Sequence, residues 1–533
     1  MKPTFTVFLL FCAPFLFAQT QATTGEKDPE AVRKYARLIT GPAIKSHLEV
    51  LASDEYEGRE TGEPGQKKAA AYIANVFNEM GLPAVGENNG YYQKIGFSRQ
   101  GFQDVNLAVK GQDAYRNLWD YYVFPNTNPG DLELETKKIV FAGYGIADER
   151  YNDYEKAKVK GKIALIYQGE PTKADGTSWL TGTTEPSDWS TEVGKKLRAA
   201  KEAGAAAVLI IDGNIKKSVD ENRRFLLSPR MKLGLPEEEL GDFAPNLFIS
   251  SNVAEALVGK KREKFIAKRD AINATGEPQK LKLKAPLTLE MDKMVQTLEG
   301  ENVLGFVEGS DPELKDEIVV VSAHYDHLGM RGESVYNGAD DNGSGSSSVL
   351  TIANAFQQAK NDGVGPRRSV LFLLVSGEEK GLLGSQYYAE FPVYPLEQTI
   401  ANVNVDMIGR TDEIQPDPYY VYVIGSDRLS TDLHKINEAN NAQFTQLKLD
   451  YTYNDDNDPN RYYYRSDHYN FARKGIPAIF YFSGTHPDYH QATDTVDKIE
   501  FDKMETIARL VFHTIWDLAN RDERIEVDVE GRN

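Results

Sequence analysis

Four short, mostly apolar runs in the second half of the chain each lead into an acidic residue or a histidine. The runs are residues 318–323, 370–375, 400–405 and 479–482, and they lead into His324, Glu378, Asp406 and the loop that carries His490. Strands of a parallel sheet are buried on both faces, so they read as near-continuous apolar runs. The pattern therefore predicts four buried strands of an α/β sheet.

The same pattern predicts that the polar residues meet in space, because ligands of open α/β sheets gather beyond the carboxyl ends of the strands. A two-metal site needs a carboxylate that can bridge the ions, plus a His and a carboxylate for each ion. That inventory is supplied by His324, Asp341, Glu379, Asp406 and His490. Such ligands, without thiolate, suit Zn²⁺ in a catalytic site, and the same geometry also accommodates Mn²⁺ or Co²⁺. We expect zinc.

Two further carboxylates are predicted to take part in the chemistry. Glu378 directly precedes Glu379, and neighbouring side chains of an extended chain point in different directions. One can therefore bind metal while the other takes a proton from the attacking water and passes it to the leaving amine. Asp326, two residues after His324, is expected to accept a hydrogen bond from the His324 ring and fix its tautomer.

The sequence pattern changes twice along the chain. Residues 24–111 have apolar positions at helical spacing, residues 112–282 carry short strands between Gly- and Pro-bearing turns, and residues 283–521 alternate strands and helices. A chain of 533 residues exceeds what one hydrophobic core usually serves. We predict an α/β fold, a mostly parallel mixed sheet flanked by helices, with a β-rich domain at 112–282 and a polar surface tail at 522–533.

The first 18 residues read as a signal peptide, with Lys2 as the positive region, an apolar stretch from Phe5 to Phe17 and Ala18 at the cleavage site. Export to the periplasm or the medium is therefore predicted. The only cysteine, Cys12, lies in that stretch, so the mature chain could form no disulfide. No later run reaches the roughly 20 apolar residues of a membrane span. The net charge of −19, without a long Lys/Arg cluster, argues against nucleic acid as a partner.

Other polar residues are interpreted as structural. Residues 454–460 form a dense Asn/Asp segment that lacks the EF-hand spacing, so a solvated loop is favoured over a Ca²⁺ site. His47, His434 and His513 have no acidic partner pattern and are predicted to be structural or at the surface.

Six motifs resemble the M28 family of zinc-dependent metallopeptidases, which includes bacterial aminopeptidases. They are AHYD (323–326), GADDNGSG (338–345), SGEEKGLLGS (376–385), VDM (405–407), RSDH (465–468) and YH (489–490). The resemblance implies Asp341 as the bridging ligand, His324 and Asp406 on one zinc, Glu379 and His490 on the other, and Glu378 as general base. It also implies that Tyr489 stabilises the oxyanion, as in some members of the family.

Two other segments extend the resemblance to nearly all of the mature chain. Residues 51–62 look like the opening segment of the family, which implies a peptidase domain divided between 24–111 and 283–521. The intervening segment resembles a protease-associated (PA) domain at residues 141–146, 160–165 and 203–208. A PA domain implies no chemistry of its own, and we expect this one to restrict access to the cleft or to shape substrate choice.

The leading hypothesis is a secreted di-zinc aminopeptidase that acts on peptides with a free N-terminus, by attack of a metal-bridged hydroxide with Glu378 as base. A carboxypeptidase is an alternative, for which Arg465 is a candidate to bind the terminal carboxylate of the substrate. A glutaminyl cyclase is another, and it usually works with one zinc. A catalytically silent binding protein would commonly lack ligands or the base, and here none is missing.

Overall fold

A computed structural model of the chain describes residues 29–128, 130–227, 229–234 and 241–530. The predicted signal peptide, residues 1–18, lies outside the described residues. Within them, no helix is both long enough and apolar enough to cross a membrane.

The described chain alternates strands and helices over most of its length. In chain order, the strands are β1 (Tyr92–Val109), β2 (Tyr121–Tyr122), β3 (Leu132–Thr136), β4 (Ile139–Phe141), β5 (Ala147–Asp148), β6 (Tyr151–Asn152), β7 (Ile163–Tyr167), β8 (Ala207–Asp212), β9 (Arg230–Leu233), β10 (Asn246–Ser250), β11 (Leu281–Leu283), β12 (Leu287–Val307), β13 (Ile318–His324), β14 (Gly329–Arg331), β15 (Ser334–Tyr336), β16 (Ser369–Val375), β17 (Thr399–Val405), β18 (Tyr420–Ile424), β19 (Lys448–Asp450) and β20 (Ala478–Phe482). The helices are α1 (Pro29–Ala36), α2 (Gly41–Leu51), α3 (Pro64–Glu79), α4 (Asp153–Lys156), α5 (Asp188–Thr191), α6 (Val193–Glu202), α7 (Ile215–Leu227), α8 (Ser251–Val258), α9 (Arg262–Thr275), α10 (Gly345–Asn361), α11 (Leu383–Glu390), α12 (Thr431–Asn440), α13 (His468–Ala472) and α14 (Phe501–Asn520).

The main sheet has ten strands in the order β19-β18-β20-β17-β13-β16-β12-β1-β9, with β3 paired to β12 off this path. Its four central strands, β20, β17, β13 and β16, run parallel and are buried along their whole length. They coincide with the four apolar runs of the sequence. The predicted α/β fold with a mixed sheet is confirmed, and its parallel strands are concentrated at the centre.

Helices cover both faces of the main sheet. On one face, α2, α3, α10 and α14 contribute fully buried side chains such as Leu48, Phe77, Phe356 and Phe512 to one core cluster. On the other face, Tyr388 of α11 and Phe471 of α13 pack against the strands. The strand ends, where the chain turns away from the core, are thus the place where polar side chains can meet solvent.

A second sheet of six strands lies in the predicted β-rich segment, in the order β11-β4-β7-β8-β10-β2. It is joined to the main sheet by an antiparallel ribbon of β1 and β12, whose register slips between Phe102 and Asp104. Val303 of this ribbon packs in the core of the main sheet, whereas Leu107 and Leu289 pack in the core of the second sheet. Residues on both sides of 112–282 therefore complete the core of the inserted part.

The described part of the polar tail, residues 522–530, is docked on the protein. Ile525 is buried in the main core cluster, and the carboxylate of Asp528 accepts a hydrogen bond of 2.8 Å from the backbone of Thr431. The tail therefore packs more closely than its polar composition predicts.

Candidate metal centre

The predicted site residues lie at one edge of the main sheet, where three parallel strands end together. β13 ends at His324, which is in register with Val375 at the end of β16, and Asp406 directly follows β17. Glu378 lies three residues after β16. Because the carboxyl ends of parallel strands share one edge, residues more than 80 positions apart in sequence become neighbours.

One group of ligand atoms surrounds the ring of His324. Its Nε2 atom lies 3.3 Å from Asp406 Oδ1, 3.4 Å from Asp341 Oδ1 and 3.8 Å from Glu378 Oε2. His324 is 1% exposed, so these charges are shielded from water. The geometry brings one imidazole and three carboxylates to a single point.

A second group faces the other oxygen of Asp341. His490 Nε2 lies 3.1 Å from Asp341 Oδ2 and 3.3 Å from Glu379 Oε1. Asp341 thus directs one carboxylate oxygen to each group, which is the placement that a bridging ligand requires. Asp341 and Glu379 are both buried.

The second group contains a histidine that the sequence analysis left unassigned. His327 Nδ1 lies 3.0 Å from Glu379 Oε1 and 3.7 Å from Asp341 Oδ2. Its position three residues after His324 was the available signal. If the strand continued, the side chains at positions 324 and 327 would point to opposite faces. The turn after β13 is what brings both rings to the site, and a turn has no periodic sequence pattern that would predict this.

A distant carboxylate fixes the backbone of the segment that carries Asp341. The carboxylate of Asp494 accepts hydrogen bonds from the backbone N–H groups of Asp340 and Asp341, at 3.0 and 3.1 Å. Gly338 precedes this turn at φ +56°, and a Cβ there would lie 2.2 Å from the backbone oxygen of Asp341. Helix α10 begins at Gly345, four residues after Asp341. Asp494 was not predicted, because it lies over 150 residues away in a loop.

The position of Asp326 differs in detail from its predicted role. The ring atom His324 Nδ1 lies 3.1 Å from the backbone oxygen of Asp326 and 3.7 Å from its carboxylate. The carboxylate instead accepts hydrogen bonds from the hydroxyl of Thr61 at 2.7 Å and from the backbone N–H of Glu378 at 3.3 Å. Asp326 therefore orients His324 through its main chain, and its side chain fixes the segment that carries Glu378.

Behind Asp406 a chain of buried polar side chains crosses the sheet. Ser466 Oγ donates to Asp406 Oδ2 at 2.7 Å, and the amide of Asn404 donates to Ser466 Oγ at 2.8 Å. Ser322 in turn donates to Asn404 at 2.7 Å. The oxygen of Asp406 that faces away from His324 is thus occupied, which leaves Oδ1 to face the first group. Ser466 was part of a recognised motif, but its role was not predicted.

Crowding of charges shifts the proton affinities of the site. Burial, together with the charges of Glu379 and Asp406, raises the pKa of Glu378 well above its usual value. Burial would also raise the pKa of Glu379, but its contacts with His327 and His490 outweigh this and hold it well below the usual value. For His490, burial is outweighed by Asp341 and Glu379, which raise its pKa to about 10. The two adjacent glutamates are therefore distinct acids, as expected of a base and a ligand.

An open cleft lined by residues of both groups leads to the site. Its walls include the apolar or aromatic side chains of Met407, Tyr462, Phe480 and Phe482. Tyr489 also lines it, stacked on the ring of His490 with ring centroids 3.9 Å apart. Arg465, at the rim, stacks over Tyr462 and donates a hydrogen bond to Tyr489 Oη at 3.4 Å.

The remaining polar predictions lie away from this cleft. In the loop 454–460, Asp455 and Asp458 accept hydrogen bonds from backbone N–H groups two residues on, and Asp456 pairs with Arg428 at 2.9 Å. The loop carboxylates are thus engaged in local contacts, and calcium binding there stays untested. The three histidines interpreted as structural have ordinary partners: His47 contacts Tyr72, His434 contacts Ser426, and His513 stacks on Phe444.

The residues fit metal ions at both groups. His324, Glu378 and Asp406 form one set, and His327, Asp341 and Glu379 form another, in which one ligand atom from each residue lies within 4.8 Å of the others. Neither ring nitrogen of the fully buried His327 makes a hydrogen bond of good geometry, although Nδ1 lies 3.0 Å from Glu379 Oε1. Buried polar atoms normally have a hydrogen-bond partner or bind an ion. A cation between the ring of His327 and the nearby carboxylates would supply that partner.

Comparison with known proteins agrees with this arrangement. Residues 302–515 match the sequence model described as "Peptidase family M28", and residues 135–257 match "PA domain". The chain is 25% identical over 534 residues to aminopeptidase YwaD of Bacillus subtilis (strain 168), with 98% of this chain and 96% of that protein covered. It is 31% identical over 215 residues to a probable leucine aminopeptidase of Trichophyton verrucosum (strain HKI 0517), with 39% of this chain and 56% of that protein covered. The chain thus spans about half the length of the latter relative.

Among solved structures, the chain is similar in fold to the aminopeptidase from Aneurinibacillus sp. strain AM-1. The TM-score is 0.55 at 18% sequence identity, and the match covers 94% of this chain and 98% of the other. At this identity the likeness shows the fold alone. The main sheet and the inserted second sheet are both within the matched length.

Proposed function

The chain is a metallopeptidase of family M28 with a PA domain, and from this premise we propose that it is an exported aminopeptidase that hydrolyses the first peptide bond of peptides with a free N-terminus. The observation that carries the proposal is Asp341, which directs its two carboxylate oxygens to two separate groups of ligands. Both groups border the cleft that would hold the substrate.

The proposed cofactor is a pair of zinc ions. His324, Asp406 and one oxygen of Asp341 would hold one ion, and Glu379, His490 and the other oxygen of Asp341 would hold the second. Nitrogen and carboxylate ligands without thiolate support zinc. When bound, the ions would polarise the scissile carbonyl and lower the pKa of the attacking water.

Glu378 is proposed to move the proton. It lines the cleft next to His324, and burial raises its pKa well above the usual range, so its carboxylate has a high affinity for a proton. As water adds to the carbonyl carbon, Glu378 would take one of its protons. It would then deliver that proton to the amide nitrogen as the C–N bond breaks, so that the products are a free amino acid and a shortened peptide.

Tyr489 is proposed to stabilise the oxyanion. Tyr489 lines the cleft, and its hydroxyl oxygen accepts a hydrogen bond from Arg465, which leaves the phenolic proton free to be donated. A donor aimed at the developing negative oxygen is worth about 3–4 kcal/mol in related chemistry. Arg465 itself would act through Tyr489.

A free amine rather than a carboxylate is proposed as the bound terminus, because the relative that aligns with nearly the whole chain is named an aminopeptidase. The apolar walls formed by Met407 and Phe480 support an apolar side chain on the released residue.

The experiment is hydrolysis of matched peptides by the zinc-loaded protein. Leu-Gly-Gly and Ala-Gly-Gly are compared with their N-acetylated forms, with chelator, and with Glu378→Gln. The exposed Glu313, which precedes β13 at the opposite end of the strand from His324, supplies the control Glu313→Gln. We expect cleavage of the free-amine peptides only, faster for Leu, and a loss of about 10²–10⁴-fold in kcat for Glu378→Gln.

Each other outcome would change the proposal. Release of the C-terminal residue from the acetylated peptides would indicate a carboxypeptidase. Wild-type activity in Glu378→Gln would remove this residue from the role of base. No hydrolysis of any peptide by protein with two bound ions would favour a binding protein.

The proposed location and domain plan follow from the sequence. A signal peptide at 1–18 would direct export to the periplasm or the medium, and residues 112–282 would form the PA domain inserted between the two parts of the peptidase domain, 24–111 and 283–521. The long ribbon of β1 and β12 supports a fixed attachment of the insertion. From there the PA domain would limit which peptides reach the cleft.

A further inference from the structure

His327 is the one imidazole beside the second group that the proposed ligand set leaves without a role. Its ring is fully buried. The backbone N–H of His327 donates to the backbone oxygen of Arg59 at 3.3 Å. A Cβ on Gly338 would lie 2.5 Å from the ring, so the glycine gives the ring its space. The ring is therefore held tightly in place.

The surroundings of the ring nitrogens are unusual for a structural histidine. A buried neutral imidazole normally donates one hydrogen bond and accepts another. Here neither nitrogen makes a hydrogen bond of good geometry, although Nδ1 lies 3.0 Å from Glu379 Oε1 and 3.7 Å from Asp341 Oδ2. His490 Nε2 approaches the same two oxygens, at 3.3 Å from Glu379 Oε1 and 3.1 Å from Asp341 Oδ2.

The four separations match a shared coordination sphere. Ligand atoms about 2.0–2.1 Å from one ion lie about 3.4 Å apart when they are arranged tetrahedrally, and the observed values span 3.0 to 3.7 Å. The rings of His327 and His490 have centroids 5.9 Å apart at 65°. The two rings are thus neighbours that face the same pair of carboxylate oxygens.

We propose that His327 Nδ1 is a further ligand of the second metal ion, beside Asp341, Glu379 and His490; this inference rests on the two-metal site proposed above. The two metal positions then differ. The second has four protein ligands from this chain, whereas the first has His324, Asp406 and the shared Asp341. The second ion should therefore be held more tightly, and the first, which has fewer protein ligands, should exchange first.

The test measures metal binding rather than hydrolysis. Zinc is removed from the full chain, and both dissociation constants are measured by chelator competition for wild type, His327→Asn and the control His434→Asn. His434 contacts Ser426 and lies away from the cleft. We expect two ions in the wild type and the control. In His327→Asn we expect affinity for one ion to fall more than about 100-fold, beyond the 10–100-fold cost of losing an outer contact.

A second variant, His327→Cys, gives a positive signal and covers the case in which His327→Asn fails to fold. The Cys Sγ atom would lie roughly where the His Cγ atom lies, so it starts farther from the ion than Nδ1 does. The metal–sulfur bond, about 2.3 Å, is longer than the metal–nitrogen bond and makes up part of this difference. The chain has one native cysteine, Cys12, so a new thiolate-to-metal charge-transfer band in the cobalt(II) protein, absent from wild type, would come from position 327.

The outcomes separate the two proposals. Two ions in the wild type with unchanged or at most 100-fold weaker affinity in His327→Asn, and no new band in the folded His327→Cys protein, would overturn the role of His327 and leave the proposed function intact. Fewer than two ions in the wild type would overturn the two-metal site itself, and the role of His327 with it. A new charge-transfer band would place side chain 327 on the metal.

Discussion

Replacing Arg59 by Lys is expected to destabilise the protein strongly, although the charge is conserved. Arg59 is 1% exposed and donates four hydrogen bonds, of 2.5 to 2.9 Å, to backbone oxygens. The acceptors belong to Leu51, Tyr325, Asn337 and Gly338. They lie in three segments that meet at the candidate site, so one guanidinium fastens α2 to the stretches just before Asp326 and Asp341.

The magnitude follows from the geometry of the donors. An ammonium group concentrates its three N–H bonds on one atom, so it can serve at most two acceptors spread around Nε, Nη1 and Nη2. At least two bonds to a charged donor, each worth about 1.5–3 kcal/mol, are then lost, or about 3–6 kcal/mol in total. At an unfolding entropy of about 2.1 cal/mol/K per residue, a domain of about 330 residues shifts by about 1.5 °C per kcal/mol, so the melting temperature should fall by at least about 4 °C.

The assay is thermal unfolding of Arg59→Lys beside wild type and the control Arg37→Lys, in which an exposed arginine is changed in the same way. Chelator is present throughout, so that any difference in metal binding does not contribute. We expect the control to melt within about 1 °C of wild type. A melting temperature of Arg59→Lys that stays within about 2 °C of the control would refute the reasoning, because the four carbonyls would then be satisfied without the guanidinium fork.

Three other predictions concern support of the site and the inserted domain. Ser466→Ala removes the hydrogen bond to Asp406, so zinc affinity in chelator competition should fall about 10–100-fold, and unchanged affinity would contradict this. Gly384→Ala would place a Cβ 2.1 Å from a backbone oxygen and should cost about 3 kcal/mol in unfolding free energy, whereas Gly213→Ala meets no atom within 4 Å and should be tolerated. Burial raises the pKa of Asp153 to about 6 from 3.8, so the folded state keeps a proton that the unfolded state loses between these values. The wild type should therefore lose about 3 kcal/mol of stability, relative to Asp153→Asn, as pH rises from about 3 to 7; unfolding free energies of the two proteins that change equally with pH would contradict this.

The sequence predicted the parts of the structure that rest on strand periodicity. β13, β16, β17 and β20 bury both faces, so their apolar runs were visible, and the residues at their carboxyl ends had only one edge of the sheet to reach. The mixed sheet and its helical cover follow from that pattern and are confirmed. The ligand roles remain proposals, but the strand pattern alone predicted that these residues would lie at one edge of the sheet.

Contacts made by turns and distant loops were not predictable in this way. His327 enters the site through the turn after β13, and Asp494 reaches the backbone of Asp341 from a loop over 150 residues away. Arg59 lies in the segment 51–62 that resembles the opening segment of the family. The sequence alone does not show that the hydrogen-bond partners of its side chain are four backbone carbonyls. Asp494 and Arg59 contact backbone groups, which leaves no pattern of side-chain types, and the turn that carries His327 has no periodic pattern.

The surplus of buried carboxylates gives the site a consequence for metal binding. Burial raises the pKa of Glu378 well above its usual value and that of Asp467 to about 7, so without metal these groups keep protons near neutral pH. Two divalent cations would favour the ionised carboxylates and expel those protons. Zinc binding should therefore release protons and strengthen as pH rises, and the buffer-dependent heat of binding would count them. The positive charge of Arg59, close to Asp326 and Asp341, is not exchanged in this way. It offsets part of the repulsion among the carboxylates in the metal-free state, which explains how a fold can gather so many acids before the ions arrive.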